Sequence, residues 1–133
     1  MDLIDYLPIR DIEFAKHRIK EGSLQAYEKM LNCNFGEQLK KYLLDLGYVS
    51  YRNVELYGIT ADLGVDSDMV KTTKRLQKSF PALKGLIAVE NQGDGDYYFV
   101  DQNDRMFRFL IASKEVIDLH MSFEDYVISR MYI

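Results

Sequence analysis

Between residues 86 and 111 the chain alternates three short apolar runs, 86–89, 97–100 and 106–111, with Gly93-Asp94-Gly95-Asp96 and Asp101-Gln102-Asn103-Asp104. β-Branched and aromatic runs joined by turn-forming residues predict an antiparallel meander. Successive strand side chains point to opposite faces, so Phe107, Phe109 and Ile111 share one face while Arg108 leaves from the other. At least one side of this sheet must therefore be core. The same alternation splits Tyr97 and Tyr98 between the two faces, which puts one of them inside. Residues 115–119 predict a further strand.

Helical spacing organises the remainder. From Asp11 to Asn32, Ile12, Ala15, Ile19, Tyr27, Met30 and Leu31 predict a helix broken at Gly22-Ser23. A second helix is predicted over 36–46, where Leu39, Tyr42, Leu43 and Leu46 form an i, i+3, i+4, i+7 stripe and Gly47 stands at the C-terminal cap. Residues 48–51 and 54–59 read as short strands. Asp66, Ser67 and Asp68 supply an N-cap, and Pro81 stops the helix that follows, with Val70, Thr73, Leu76 and Phe80 on its buried side. Ser122-Phe123-Glu124-Asp125 is a capping box opening a last helix, with Tyr126, Val127 and Met131 on one face. The expected class is α+β: a meander sheet packed against N-terminal helices, with a mid-chain helix and a C-terminal helix. No repeat or Gly/Ser/Pro linker divides the sequence, so residues 1–133 read as one domain.

At 133 residues and 47% apolar composition, the chain buries a core without disulfide or metal staples. The one cysteine, Cys33, forms no intrachain bridge, and Asp2 and Asp5 stand where a signal peptide carries bases, so a reduced, cytoplasmic protein is expected. No uncharged apolar stretch reaches the roughly 18 residues of a membrane span. The net charge is −4, and residues 90–133 hold nine acids against four bases. Duplex binding rests on Lys and Arg neutralising phosphates, so direct nucleic-acid binding is not expected and a basic partner is.

Catalytic parts are scarce. His17 lies in Lys16-His17-Arg18 and His120 follows a strand, neither spaced from a ligand or nucleophile as a metal site or catalytic pair demands. Cys33 reads as a packed thiol. No nucleophile elbow, P-loop or H-E-x-x-H pattern occurs. The alternating acids from Glu90 to Asp96 suggest half of a calcium loop, but Asp94, Asp96 and Tyr98 break the ligand series. A tight turn fits better, with Gly93 and Gly95 at positive φ and the aspartates bonding their own backbone. No cofactor, metal or catalytic activity is expected, although two converging carboxylates in a deep pocket would revive a small hydrolase.

Several segments, in order, resemble the SUKH superfamily of Smi/Knr-type domains. They are Glu28-Lys29-Met30-Leu31, then Tyr42-Leu43-Leu44, Val54-Glu55-Leu56-Tyr57-Gly58-Ile59, Val70 to Arg75, Phe80-Pro81 and Leu86-Ile87-Ala88-Val89-Glu90-Asn91. Gly93-Asp94-Gly95-Asp96-Tyr97-Tyr98 and Ser122-Phe123-Glu124-Asp125-Tyr126 complete the series, which covers about residues 25–133. The chain departs from the pattern at Phe35-Gly36, where a Leu-Pro usually opens the second helix, and it lacks tryptophan. The resemblance implies a non-enzymatic role: many bacterial members are similar to immunity proteins that neutralise a cognate polymorphic toxin, often a nuclease. Fungal relatives regulate cell-wall synthesis, which leaves a scaffold or regulator without a toxin as the alternative.

Charge offers a candidate contact surface. Glu90, Asp94, Asp96, Asp101 and Asp104 with Tyr97 and Tyr98 contain no base, and an acidic face steers encounter with a cationic protein. These seven residues are the expected partner-binding set.

Overall fold

A computed structural model describes residues 3–7, 12–59, 68–93 and 95–132. Its described strands form two antiparallel sheets. The first runs β1 (Ile12–Phe14), β2 (Val49–Tyr51), β3 (Val54–Leu56), and the second β4 (Ile87–Asn91), β5 (Tyr97–Val100), β6 (Arg105–Leu110), β7 (Glu115–Ser122), each in chain order. Helices α1 (Leu24–Leu31), α2 (Glu37–Asp45), α3 (Met69–Ser79) and α4 (Phe123–Met131) complete an α+β fold. No described helix is long and apolar enough to cross a membrane.

The meander forms as its turn chemistry demands. Gly93 and Gly95 sit at φ 90° and 87°, a region L side chains avoid. Both faces of the sheet are covered. On one, Phe99, Phe109 and Phe80 meet edge to face, with ring centroids 6.4 and 5.0 Å apart. On the other, the Tyr126 ring of α4 lies 5.5 Å from that of Tyr98. Thr73 Oγ1 accepts the Ala88 N–H at 2.9 Å and ties α3 to β4. Leu39, Tyr42, Leu43 and Leu46 all lie in the core, and Gly47 takes φ 74° past the end of α2. Asp68 caps α3 by accepting the Lys71 N–H at 2.9 Å, whereas Asp66 and Ser67 lie outside the described residues, as does Pro8.

One helix expectation fails. The spacing over residues 11–32 predicts a broken helix, but Ile12–Phe14 is a strand paired antiparallel with β2, and α-helix begins only at Leu24. Ile12, Ala15 and Ile19 fit helical spacing, yet Ile12 and Phe14 fit a strand equally well, and β2 offers them an edge. Pairing with a distant segment overrides weak local preference.

A bulge in β4 shapes everything downstream. Ala88 pairs with Phe99 and Glu90 with Tyr98, which leaves Val89 as the extra residue. The Val89 carbonyl then accepts the Tyr57 N–H at 2.8 Å and links the two sheets. Gly58 follows in a crowded spot where an added Cβ would lie 1.7 Å from the Gly47 carbonyl oxygen. Only glycine permits that approach.

Buried phenols give the fold an alkaline limit. Burial first, then the hydrogen bond to Glu55 and its charge, push Tyr48 up to about 12, and burial raises Tyr42, Tyr57 and Tyr126 as well. The folded chain thus retains protons that the unfolded chain releases above pH 10, the ordinary tyrosine value. Stability is expected to be full below that pH and to fall as pH rises toward 12. Tyrosinate absorbance measured alongside circular dichroism should show part of the absorbance of the ten tyrosines appearing only with unfolding; ionisation of all ten near pH 10 in a folded chain would contradict it.

Candidate functional site

The seven acidic and tyrosine residues do not form one exposed surface. Glu90 is 1% exposed, because the Val89 bulge turns it onto the face of Tyr98 beneath α4. Its carboxylate accepts the Tyr126 hydroxyl at 2.6 Å and both Arg130 Nε and Nη2, at 2.8 and 2.9 Å. Burial alone lowers the Arg130 pKa, but hydrogen bonding and attraction by Glu90 outweigh it and hold the guanidinium above its usual value. Burial, then the same carboxylate, pushes the Tyr126 phenol far up. Tyr98 is a core residue at 7% exposure.

Asp104 also turns inward. It sits at φ 59°, a left-handed conformation that aspartate tolerates, and reaches across to the start of α2. Its Oδ2 accepts the Gln38 N–H at 2.9 Å and its Oδ1 the Leu39 N–H at 3.1 Å. The residue at the α2 N-cap is Gly36, which has no side chain for the task, so Asp104 caps the helix from a distant turn. An added Cβ on Gly36 would fall 2.3 Å from the Asp104 carboxylate. The Asp104 carbonyl accepts the Phe123 N–H, and Gln38 Oε1 accepts the Glu124 N–H, so this aspartate ties β6, α2 and α4 together.

The remaining positions divide. Asp96 accepts Arg108 Nη2 at 2.8 Å and the Ile111 N–H at 3.2 Å, crossing to its neighbour strand instead of bonding its own backbone. Tyr97 is half-buried, with its hydroxyl 3.4 Å from Arg75 Nη2. Asp101 Oδ1 accepts the N–H groups of Asn103 and Arg105 and shapes the β5–β6 turn. Asp94 lies outside the described residues. Glu90 and Asp104 therefore leave the outward acidic set: they fasten the fold.

Next to the Asp104 turn lies a cleft of about 820 Å³. One wall is α1 and the loop after it, with Gln25, Glu28, Lys29, Asn32, Cys33 and Asn34; the other joins Lys84, Gly85 and Leu86 to Asp101, Gln102 and Asn103. Both walls are held by hydrogen bonds. Asn32 takes φ 51° and its N–H returns to α1 carbonyls, while Glu28 Oε2 accepts the Phe35 N–H at 2.8 Å. The Asp104 cap then clamps the opposite turn against α2. Asp101 alone of the seven expected residues lines this cleft. Burial, then Glu28, raises the Cys33 thiol, which keeps it protonated and a poor nucleophile.

A family model described as SMI1-KNR4 cell-wall, of the SUKH group, matches residues 2–129. The chain belongs to this family. No curated protein matches it. SMI1-KNR4-type domains act in general as binding domains for protein partners, commonly as immunity proteins. Among the described residues no cluster of three or more His, Cys, Asp or Glu is arranged to hold a metal. The cleft residues escaped sequence reading because scattered Asn and Gln carry no periodic signal. Cys33-Asn34 directly after a helix was the one local hint.

Proposed function

We propose that this SMI1-KNR4-type chain is an immunity protein that neutralises a partner toxin by tight, stoichiometric binding, without making or breaking a bond. The family match over residues 2–129 carries this reading. It acts in the cytoplasm of the producing cell, and its toxin is a nuclease. Nuclease domains bear cationic surfaces to hold phosphates, and this chain carries a net charge of −4. The carboxylates supporting such steering are the exposed Glu115, Asp118 and Asp125 and the half-buried Asp101, with the half-buried Tyr97, in place of Glu90 and Asp104.

Co-expression with a toxin encoded by the adjacent gene is expected to restore growth, and the purified pair to form an equimolar complex. Raising salt from about 50 to 500 mM should slow association by about tenfold or more, since steering is screened beyond a Debye length. Equal killing with and without the chain would sink the proposal. The cell-wall description of the family favours a second reading, a scaffold or regulator of an endogenous partner. A genome with no toxin gene nearby would support it.

A further inference from the structure

The chain's ten carboxamides divide sharply. Gln38, Gln77, Gln92 and Asn91 are committed internally: to the Glu124 N–H, to the Leu83 and Leu86 carbonyls, to the Tyr126 hydroxyl and to the Gly93 N–H. Five others, Gln25, Asn32, Asn34, Gln102 and Asn103, converge on the cleft from separate segments. Their side chains make no hydrogen bond to any described residue. Asn53 completes the ten, at the β2–β3 turn.

We infer that this cleft grips an extended, carboxylate-bearing peptide segment of the partner protein. The inference rests on the protein-binding reading above and names the element it holds. An extended main chain offers one donor and one acceptor per residue, and a carboxamide matches either. Pockets for drug-sized ligands are predominantly apolar and aromatic, and single-stranded nucleic acid sites offer stacking platforms. Among the described residues no aromatic lines this cleft. Its charges are also unequal in availability. The Glu28 and Asp101 carboxylates accept backbone N–H groups of the walls, whereas Lys29 and Lys84 are exposed and have no ion-pair partner among the described residues.

The surroundings reinforce that sign. α1, one wall of the cleft, packs on α3, whose exposed Lys71, Lys74, Arg75 and Lys78 recur at i, i+3, i+4 and i+7. Residues 69–89 contain five bases and no acid. An acidic segment entering the cleft meets a positive flank even though the whole chain is negative. The walls are set before binding by the Asn32 turn, the Glu28–Phe35 bond and the Asp104 clamp, which lowers the ordering cost.

The test is selection of a random nine-residue peptide library on the immobilised full-length chain. Parallel arms present homopolymeric single-stranded DNA and neutral oligosaccharides. Enrichment of Asp- or Glu-containing peptides is expected, with binding weakened at least tenfold by Lys29→Glu with Lys84→Glu and several-fold by Asn34→Ala with Asn103→Ala. These exposed substitutions should leave the melting curve unchanged. The inference is overturned by no enrichment, by acid-free winners, by binding that both variants leave intact, or by selective capture of the DNA or saccharide. Failed growth rescue together with variant-sensitive peptide binding would remove the toxin reading and keep the cleft.

Discussion

Glu90→Ala is expected to destabilise the chain by about 3–5 kcal/mol, because it strands Arg130 without its carboxylate in a largely buried site. The lost acceptor also frees the Tyr126 hydroxyl on one side, although Gln92 still donates to it. Glu90→Gln, which retains an acceptor for Tyr126, should cost less, about 1–3 kcal/mol. Replacing both partners, Glu90→Met with Arg130→Met, should recover much of the loss, since a desolvated ion pair is often no more stable than apolar packing of similar volume. Urea unfolding, compared at constant m value, reads all three. A loss below about 1 kcal/mol for the alanine variant would mean that water reaches the carboxylate and that α4 is held on the sheet by packing alone.

Asp104→Ala is expected to cost about 2–4 kcal/mol, combining a lost helix cap with two lost charge-assisted hydrogen bonds. Alanine also tolerates φ 59° poorly. Asp104→Asn keeps one acceptor and the left-handed backbone, so it should lose markedly less. Faster hydrogen exchange at the Gln38 and Leu39 amides should accompany the loss, because these are the groups released. Unchanged protection at both would contradict the cap. Gly36→Ala should mimic the effect, since its Cβ would occupy the space of the Asp104 carboxylate. The two changes should be strongly non-additive in a double-mutant cycle.

Local chemistry made much of the fold legible. The meander was readable because Gly93, Gly95 and Asp101 mark turns within a few residues of the strands they join. α2 was readable from four core positions, and α3 and α4 from the caps at Asp68 and Ser122, whose side chains accept the Lys71 and Asp125 N–H groups. β1 was not, because three residues carry too little pattern to distinguish a strand from a helical turn. The family was legible from ordered segments spanning most of the chain, and the match over 2–129 agrees with it.

The candidate site was far less legible. Strict alternation from Ile87 places Glu90 opposite Tyr97, but one extra residue moves it opposite Tyr98 and inside. A bulge costs little locally and inverts every face beyond it. The five free carboxamides carry neither charge nor period, so nothing marked them as a set.

The amino-acid order alone determined the turn positions, the family and the element types other than β1, since these depend on interactions among residues a few places apart. Only the tertiary structure decided which acids serve the fold. Asp104 became a helix cap by meeting Leu39 across 65 positions, and Glu90 an internal counter-ion by meeting Arg130 across 40. A carboxylate's role is set by what desolvates it and what donates to it, and both arrive from elsewhere in the chain.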